Sequence, residues 1–301
     1  MTTPAFRLNK NASIPAVGFG TYLITNDDCP SAVKAAIEAG YRHIDTAQGY
    51  QNEAGVGEGV RAGIEASGLA RKDVFVTTKL WPGNPAWGNE VADGPATLAA
   101  FEDSVAKLGL DYVDLYLIHA PYGGDKRIEE WEALLELKAQ GKARAVGVSN
   151  FNADHLAEIV AAGLPMPEAN QVELHPWSQK PGLIELMGEL GIQPIAYSSL
   201  APLSTWRTEP GQDSAKSDEM KADSADAPFR GIAQKYGVSE AQLLLRWGVQ
   251  NGYSVLPKSL NPGRMAQNLD LFSFEIDAAD MAAMKAMDRG AGIAWATGDP
   301  S

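Results

Sequence analysis

Short apolar runs rich in β-branched residues alternate with longer amphipathic stretches along the chain. The runs that read as strands are residues 16–20, 42–45, 74–79, 112–119, 143–149, 168–173, 192–198 and 253–258. The stretches between them have apolar residues at helical spacing, and several end in glycine, as helix C-termini often do. Strands that alternate with helices in this way are typical of βαβ units, which build a parallel sheet.

Two architectures accommodate these strands: an open sheet with helices on both faces, and a closed barrel. An open sheet that binds a dinucleotide carries the pattern G-x-G-x-x-G directly after an early strand. The nearest pattern is Gly55-Val56-Gly57-Glu58-Gly59, which has a different spacing and lies inside a predicted helix. The sequence therefore predicts an α/β fold, a (β/α)8 TIM barrel, and we expect residues 1–301 to form a single domain.

Two segments fall outside this repeat. Residues 6–17 read as a small N-terminal β-hairpin that turns at residues 9–11 and is expected to close the bottom of the barrel. Residues 205–227 form a long, polar, acidic loop that follows the seventh predicted strand. Loops of this length are usually lids or disordered, and this one is expected on the face that carries the active site.

The composition narrows the class of protein. Hydrophobic residues make up 45% of the 301 positions and charged residues 21%, which is ordinary for a globular protein. No apolar stretch approaches the ~20 residues that cross a bilayer, and the first residues lack the apolar core of a secretory signal. Cys29 is the only cysteine, so an internal disulfide is impossible. We therefore expect a cytoplasmic protein that does not bind membranes.

The balance of charge restricts the partners. The formal net charge of -13 argues against a nucleic-acid partner, which would need a basic face. An anionic ligand would need a local cluster of basic residues, and one candidate lies near Lys258. We expect a small-molecule substrate as the partner.

Titratable residues end three of the predicted strands. These residues are Asp45, Lys79 and His119, and Tyr50 lies on the loop that leaves the strand ending at Asp45. In a TIM barrel the C-terminal ends of all strands meet at one rim, where the reactive groups lie. Any one of these residues could be a solvated loop residue, but four at equivalent positions indicate a catalytic site.

The four side chains suit the reduction of a carbonyl group by hydride. The alkoxide-like oxygen that forms needs a proton donor within hydrogen-bond reach, and Tyr50 can serve as this donor. We expect the Lys79 ammonium to lower the pKa of Tyr50, which is about 10 when unperturbed. Asp45 would hold Lys79 charged, and His119 would orient the carbonyl oxygen.

At this point the sequence resembles the aldo-keto reductase family. The resemblance runs through almost the whole chain, in the family's order, over the blocks GFGTY (18–22), YRHIDTAQGYQNE (41–53), TTKLW (77–81), LGLDYVDLYLIH (108–119), GVSNF (147–151), NQVELHP (170–176), AYSSL (196–200) and PKS (257–259). An ordered series of blocks is far more specific than any single short motif. It implies an oxidoreductase that uses NADP(H) to interconvert a carbonyl group and an alcohol, and members of this length are often monomers.

The resemblance also implies roles for particular residues. Tyr50 is the general acid, and Lys79, Asp45 and His119 complete a catalytic tetrad. Asp45 also lies near the nicotinamide ribose, and Tyr197 stacks on the nicotinamide ring. The other residues implied at the nicotinamide end of the cofactor are Gly20, Thr21, Ser149, Asn150 and Gln171, and the resemblance also implies Ser198 and Leu200 as cofactor contacts.

The adenosine end of the cofactor is assigned to residues 257–268. A 2′-phosphate prefers Arg or Lys together with the amides of a helix N-terminus. Lys258, Ser259 and Arg264 supply such groups, and Asn261-Pro262 reads as the start of a short helix. The resemblance adds Gln267, where the family often has Glu, and Asn268, which matches the adenine-contacting Asn.

The substrate pocket departs from the family pattern. The fourth strand is followed by His119-Ala120-Pro121, where His-Trp-Pro is frequent, and Ser199 replaces a frequent proline. Losing an indole reshapes the pocket, so substrate specificity cannot be copied from other members. We expect Tyr22, Trp81 and His119 to contact substrate, with weaker candidates at Trp87, Tyr122, Trp177 and Trp206.

Two other functions fit parts of the pattern. A Schiff-base lyase would use Lys79 as its nucleophile and would need no nicotinamide. A regulatory barrel would bind NADPH tightly but would reduce carbonyl substrates only at negligible rates. A metal site at Glu173 and His175 is not expected, because no third ligand has suitable spacing.

Overall fold

The computed structural model describes residues 4–203 and 228–295. The predicted loop 205–227, with Trp206, lies outside the described residues. None of the helices in the described part of the chain is both long enough and apolar enough to cross a membrane. The expectation of a single domain over residues 1–301 stays a prediction.

A two-stranded antiparallel hairpin opens the chain, as the sequence predicted. Strand β1 spans Ala5–Arg7 and strand β2 spans Ser13–Pro15, and the turn between them is closed by a bond from the Leu8 amide to the Ala12 carbonyl. Ile14 is fully buried and belongs to the apolar cluster that fills one end of the barrel interior. Asn9 Nδ2 donates to Glu168 Oε1 at 2.6 Å, which ties the hairpin to the start of a barrel strand.

Eight parallel strands follow in sequence order, and each pairs with the next. They are β3 (Phe19–Gly20), β4 (His43–Asp45), β5 (Phe75–Leu80), β6 (Val113–Ile118), β7 (Ala143–Ser149), β8 (Ala169–Glu173), β9 (Gln193–Tyr197) and β10 (Ser254–Val255). A parallel bridge joins Val17 to Val255, and the Gly20 amide donates to the Pro257 carbonyl at 3.1 Å. These bonds join β3, the first strand of this sheet, to β10, the last, and close the sheet. The predicted (β/α)8 barrel is therefore confirmed.

The last strand is shorter than the predicted run 253–258. Pro257 has no amide hydrogen and cannot continue the ladder, so regular pairing ends at Val255. The chain beyond it still runs along the first strand, because the Pro257 carbonyl accepts the bond from Gly20. Residues 257–259 therefore leave the barrel at the same rim as the other strand ends.

Helices form the outer layer of the barrel. They are α1 (Cys29–Ala39), α2 (Glu53–Ser67), α3 (Gly94–Leu108), α4 (Arg127–Ala139), α5 (Ala153–Ala161), α6 (Pro181–Leu190), α7 (Phe229–Tyr236), α8 (Glu240–Gln250), α9 (Pro262–Leu269) and α10 (Ala278–Lys285). The large apolar core lies between these helices and the outer faces of the strands. Burial of that core is the main source of the fold's stability.

The glycine-rich run 55–59 serves helix packing. It lies within α2, and a Cβ added at Gly57 would come within 1.9 Å of the Leu108 carbonyl oxygen. A Cβ at Gly55 would come within 2.0 Å of the Asn26 carbonyl oxygen. Both positions therefore require glycine so that α2 can approach its neighbours, and the run is not a dinucleotide-binding turn.

Candidate active site

The structure brings the four predicted reactive side chains together at the C-terminal rim of the barrel. Asp45 ends β4, Lys79 lies near the end of β5, and His119 directly follows β6. Tyr50 ends a short 3-10 helix, Gln48–Tyr50, that leaves β4. Lys79 Nζ lies 3.4 Å from Tyr50 Oη, and the rings of Tyr50 and His119 meet edge to face with centroids 5.5 Å apart.

Lys79 is completely buried, and its ammonium is held by oxygen atoms. Nζ donates to Asp45 Oδ1 at 2.6 Å and to the Thr46 carbonyl at 2.8 Å. Burial lowers the pKa of Lys79 below its ordinary value, although the charge of Asp45 opposes this shift. The amine is therefore engaged on several sides and is positioned by its partners.

The pKa of Tyr50 is raised above its ordinary value, whereas the sequence led us to expect a lowered one. Burial of the phenol is the largest cause, followed by the negative charge of Asp45 and by Tyr22. Because Asp45 is bonded directly to Lys79, its charge offsets that of the ammonium at the phenol. Tyr50 is therefore a neutral phenol that can donate a proton.

His119 is neutral at ordinary pH. Burial lowers its pKa well below 6.5, and the nearby charge of Lys79 lowers it further. Its Nδ1 atom is buried and has no hydrogen-bond partner among the described residues. A neutral imidazole next to a phenol can orient an oxygen atom without adding a charge to the site.

A hydrogen-bonded network of amides and hydroxyls lies next to these four residues. Gln171 Nε2 donates to Asp45 Oδ2 at 2.9 Å, and the Ser149 hydroxyl donates to the Gln171 carbonyl at 2.7 Å. Asn150 Nδ2 donates to the His119 carbonyl at 3.1 Å, and Asn150 Oδ1 accepts from the Tyr197 hydroxyl at 2.8 Å. Four of the residues assigned to the nicotinamide thus surround the reactive set.

Two of the residues at this rim adopt left-handed backbone conformations. Asn150 follows β7 with φ of 60°, and Ser198 follows β9 with φ of 54°. Residues other than glycine rarely adopt this conformation, and it is concentrated at functional sites. It turns the chain sharply after Ser149 and Tyr197, and Ser198 and Leu200 are left partly buried at the rim.

Gly20 and Thr21 lie beside Asp45. Thr21 is fully buried, and both its amide and its hydroxyl donate to the Asp45 carbonyl, at 3.0 and 2.9 Å. A Cβ added at Gly20 would come within 3.0 Å of the Leu256 carbonyl oxygen. The end of β3 and the residue after it therefore lie close to Asp45 in fixed positions.

The residues assigned to the adenosine end gather around the start of α9. Asn261 caps this helix by accepting from the Arg264 amide, and its own amide donates to the Ser259 hydroxyl at 3.1 Å. Lys258 and Arg264 are exposed and have no acidic partner among the described residues, while Gln267 is exposed and Asn268 is buried. Two exposed cations beside a helix N-terminus form a favourable site for a phosphate.

An aromatic group walls the space in front of Tyr50 and His119. The Tyr22 ring lies 5.0 Å from the Tyr50 ring, and the Trp81 and Trp295 rings lie 5.8 and 5.9 Å from that of His119. We call five residues together the aromatic group: Tyr22, Trp81, Trp87, Tyr122 and Trp295. Trp87 stacks on Trp81 at 5.7 Å, and Tyr122 contacts both of these indoles.

The aromatic group includes one residue that sequence reasoning missed and leaves out one that it considered. Trp295 lies in the tail beyond the last helix, where no hydrophobic periodicity predicts its position. The sequence feature that could have indicated a role is a large aromatic residue within a segment of small residues. Trp177 is buried elsewhere, with its ring against Phe229 and under the Arg289 guanidinium. Ala120, which stands where the family often has Trp, is fully buried.

Within the described residues, no group of three or more His, Cys, Asp or Glu side chains could hold a metal ion. Glu173 and His175 bond to each other, with His175 Nε2 2.8 Å from Glu173 Oε1. The same carboxylate accepts the backbone amides of Ile293 and Ala294. The lone pairs of Glu173 are therefore occupied by groups of the protein.

The chain belongs to the aldo/keto reductase family. The family model described as "Aldo/keto reductase family" matches residues 16–289, which include the barrel and the four reactive side chains. The match agrees with the closed barrel and with the position of the site at its C-terminal rim.

Relatives with known names span nearly the whole chain. Morphine 6-dehydrogenase of Pseudomonas putida is 40% identical over 292 residues, which cover 97% of this chain and 93% of the relative. Glyoxal reductase of Bacillus subtilis is 39% identical over 284 residues, which cover 94% of this chain and 92% of the relative. A crystal structure of a Bombyx mori aldo-keto reductase in complex with NADP superposes with a TM-score of 0.83 at 34% identity, covering 97% of this chain and 95% of that one.

Proposed function

We propose that this protein is an NADPH-dependent reductase that converts an aldehyde or ketone into an alcohol. The observation that carries the proposal is the contact between the buried Lys79 ammonium and the Tyr50 hydroxyl, beside the neutral ring of His119. This arrangement provides a proton donor at a rim walled by aromatic rings. Both named relatives above are oxidoreductases, and one solved relative holds NADP, which supports the proposal.

The residues at the rim fit NADP(H). Lys258 and Arg264, exposed and unpaired within the described chain, would hold the 2′-phosphate with Ser259 and the amides that open α9. Gln267 and Asn268 lie on the same helix and would contact the adenine side. At the other end, Ser149, Asn150 and Gln171 would bond the nicotinamide amide, and the half-buried Tyr197 ring would pack against the nicotinamide. Gly20, Thr21, Ser198 and Leu200 complete the rim around it.

The chain's own residues would manage the proton and the position of the substrate. When bound, the reduced nicotinamide supplies the hydride that reaches the carbonyl carbon. Tyr50 donates its proton to the carbonyl oxygen, which becomes the hydroxyl group of the alcohol product. The Lys79 ammonium stabilises the negative charge that Tyr50 acquires, and Asp45 fixes Lys79 in place. His119 orients the same oxygen, and Tyr22 and Trp81 would contact the rest of the substrate.

The surroundings of Lys79 argue against a Schiff-base lyase. Lys79 Nζ has no exposed surface and bonds to the Asp45 carboxylate and the Thr46 carbonyl. A nucleophilic amine must be reachable by substrate, whereas this group is buried and donates to a carboxylate. A regulatory barrel would retain the cofactor residues but has no need for Tyr50 in contact with the buried Lys79 and Asp45 pair.

A substrate panel tests the proposal. The loss of NADPH absorbance is followed with simple aldehydes, aromatic aldehydes, α-keto esters, aldoses and larger ketones. Turnover of at least one carbonyl class by the wild-type protein, and its loss in Lys79→Met, supports a reductase. Tight NADPH binding without turnover of any class would instead support the regulatory barrel. The cytoplasmic location and the monomeric state expected from the sequence stay predictions.

A further inference from the structure

The tail beyond α10 is held against the loop that follows β8. Gln179 Nε2 donates to the Met284 carbonyl at 2.9 Å, and the Gln179 amide donates to Asp288 Oδ1 at 3.0 Å. The Arg289 amide donates to the Trp177 carbonyl at 3.0 Å, and the Arg289 guanidinium lies 3.8 Å from the centroid of the Trp177 ring. These contacts secure the first part of the tail, up to Arg289, without involving Glu173.

A separate contact holds the end of the described tail at the rim. Glu173 is the last residue of β8 and is completely buried. Its Oε1 atom accepts the amides of Ile293 at 2.7 Å and Ala294 at 3.0 Å, and its Oε2 atom accepts the Ala294 amide at 2.8 Å. His175 Nε2 lies 2.8 Å from Oε1. One buried side chain therefore binds two successive amides of a segment about 120 residues away along the chain.

The electrostatics of Glu173 favour this contact. Burial alone raises the pKa of the carboxyl group, but bonds from His175 and from the amides of Ile293 and Ala294 outweigh it and hold the pKa below its ordinary value. The carboxylate is therefore ionised. Amides bonded to a buried carboxylate form charge-assisted hydrogen bonds, which are roughly twice as strong as neutral ones.

The residue that follows these two amides is Trp295. Its ring lies 5.9 Å from the rings of both His119 and Tyr122, so it forms part of the aromatic group. The position of the Ala294 amide fixes where the Trp295 side chain starts. We propose that Glu173 is a positioning residue for substrate selection: its carboxylate holds residues 293–295 at the rim and so places Trp295 beside His119. The proposal rests on the reductase activity proposed above, and Glu173 touches neither Tyr50 nor Lys79 in this structure.

A double-mutant cycle tests the proposal. Wild type, Glu173→Gln, Trp295→Ala and the double variant are compared on a bulky aromatic aldehyde, naphthaldehyde, and on a small one, acetaldehyde. Glu173→Gln keeps the shape but removes the charge that binds the amides, so the KM for naphthaldehyde should rise about tenfold. The kcat for acetaldehyde, which is too small to need Trp295, should change by less than about twofold.

The double-mutant cycle distinguishes an effect on the position of Trp295 from a general loss of protein stability. With Trp295 already replaced by alanine, Glu173→Gln should have no further effect on the KM for naphthaldehyde, because the group it positions is gone. The proposal would be overturned if Glu173→Gln raised the KM for naphthaldehyde equally with Trp295 present and with Trp295 replaced. It would also be overturned if Glu173→Gln reduced activity equally with both aldehydes. Glu189→Gln, which neutralises an exposed glutamate on α6, is the matched control and should resemble wild type.

A readout that needs no activity separates this proposal from the proposed function. Hydrogen exchange at the Ile293 and Ala294 amides should be faster in Glu173→Gln, while exchange in α10 stays unchanged. Protection equal to that of wild type would refute the contact even if the protein reduced no aldehyde. Should Glu173→Gln fail to fold, Ala294→Pro removes one donor from the opposite side of the contact, and it should raise the same KM. An unchanged KM in that variant would also refute the proposal.

Discussion

The Lys79 ammonium and the Asp45 carboxylate form a buried ion pair with Nζ and Oδ1 2.6 Å apart. The pair has little net charge, and Tyr50 lies at its edge, 3.4 Å from Nζ. A bare cation at this position would draw the phenol toward its ionised form, but the paired cation leaves it protonated. The pair therefore supplies a neutral proton donor, with an ammonium near enough to stabilise the phenolate once the proton has left.

The pH dependence of carbonyl reduction follows from these ionisation states. His119 is neutral above a pKa that burial and Lys79 hold well below 6.5, and Tyr50 stays protonated until well above pH 10. The kcat for reduction should therefore show no titration of His119 or Tyr50 between about pH 6 and 9. Steady-state rates at saturating NADPH and constant ionic strength check this. A fall in kcat centred near pH 6.5 that disappears in His119→Asn would show that His119 titrates in this range.

Cofactor selectivity should depend on Arg264. The guanidinium is exposed at the start of α9 and has no acidic partner in the described chain, so it is available to a 2′-phosphate. Arg264→Ala should weaken NADPH binding about tenfold or more and NADH binding by less than about twofold. Fluorescence titration with both cofactors measures the two Kd values. Arg230→Ala, at an exposed position on α7, is the control for lost net charge, and equal weakening of both cofactors by Arg264→Ala would discredit the phosphate site.

Stability should fall with rising pH because of Glu130 on α4. The side chain is completely buried, neither carboxyl oxygen has a partner in the described residues, and burial raises its pKa from 4.5 to about 8, against the lowering effect of Arg127. A raised pKa means that Glu130 favours the folded state below about pH 4.5 and that this contribution is lost as pH rises through about 8. At about 1.4 kcal/mol per pKa unit, the loss is at most about 5 kcal/mol.

Glu130→Gln isolates this contribution. The variant cannot ionise, so its free energy of unfolding should change less between pH 5 and 9 than that of wild type, and it should be the more stable protein at pH 9. Urea unfolding at both pH values measures the difference. Parallel pH dependence in the two proteins would mean that Glu130 is not buried as a neutral acid.

The barrel and the reactive set were predictable from the sequence because both follow from local patterns. Each strand is a short apolar run, and the topology of a parallel barrel brings every strand end to one rim. Asp45, Lys79 and His119 could therefore be placed together without knowing any tertiary contact. The glycine run 55–59 could be rejected as a cofactor turn on spacing alone, and its packing against α1 and α3 explains why glycine is needed there.

Other features depend on contacts that no local pattern encodes. Trp295 reaches the rim because Glu173 binds the amides just before it, and the two lie far apart in the sequence. The pKa of Tyr50 depends on how deeply the phenol is buried and on how closely Asp45 neutralises Lys79, and these are properties of packing. Glu130 is an ionisable residue at a helix position that faces the core, so its burial contradicts what its residue type suggests.

The most direct test of the account replaces the Tyr50 hydroxyl and measures turnover and cofactor binding on the same preparation. Tyr50→Phe keeps the ring against His119 and removes only the proton donor, with Tyr112→Phe, at the other end of the barrel, as the control. We expect kcat for aldehyde reduction to fall by ~10²–10⁴-fold while the Kd for NADPH stays within about twofold of wild type. Reduction at the wild-type rate by Tyr50→Phe would show that Tyr50 is not the proton donor.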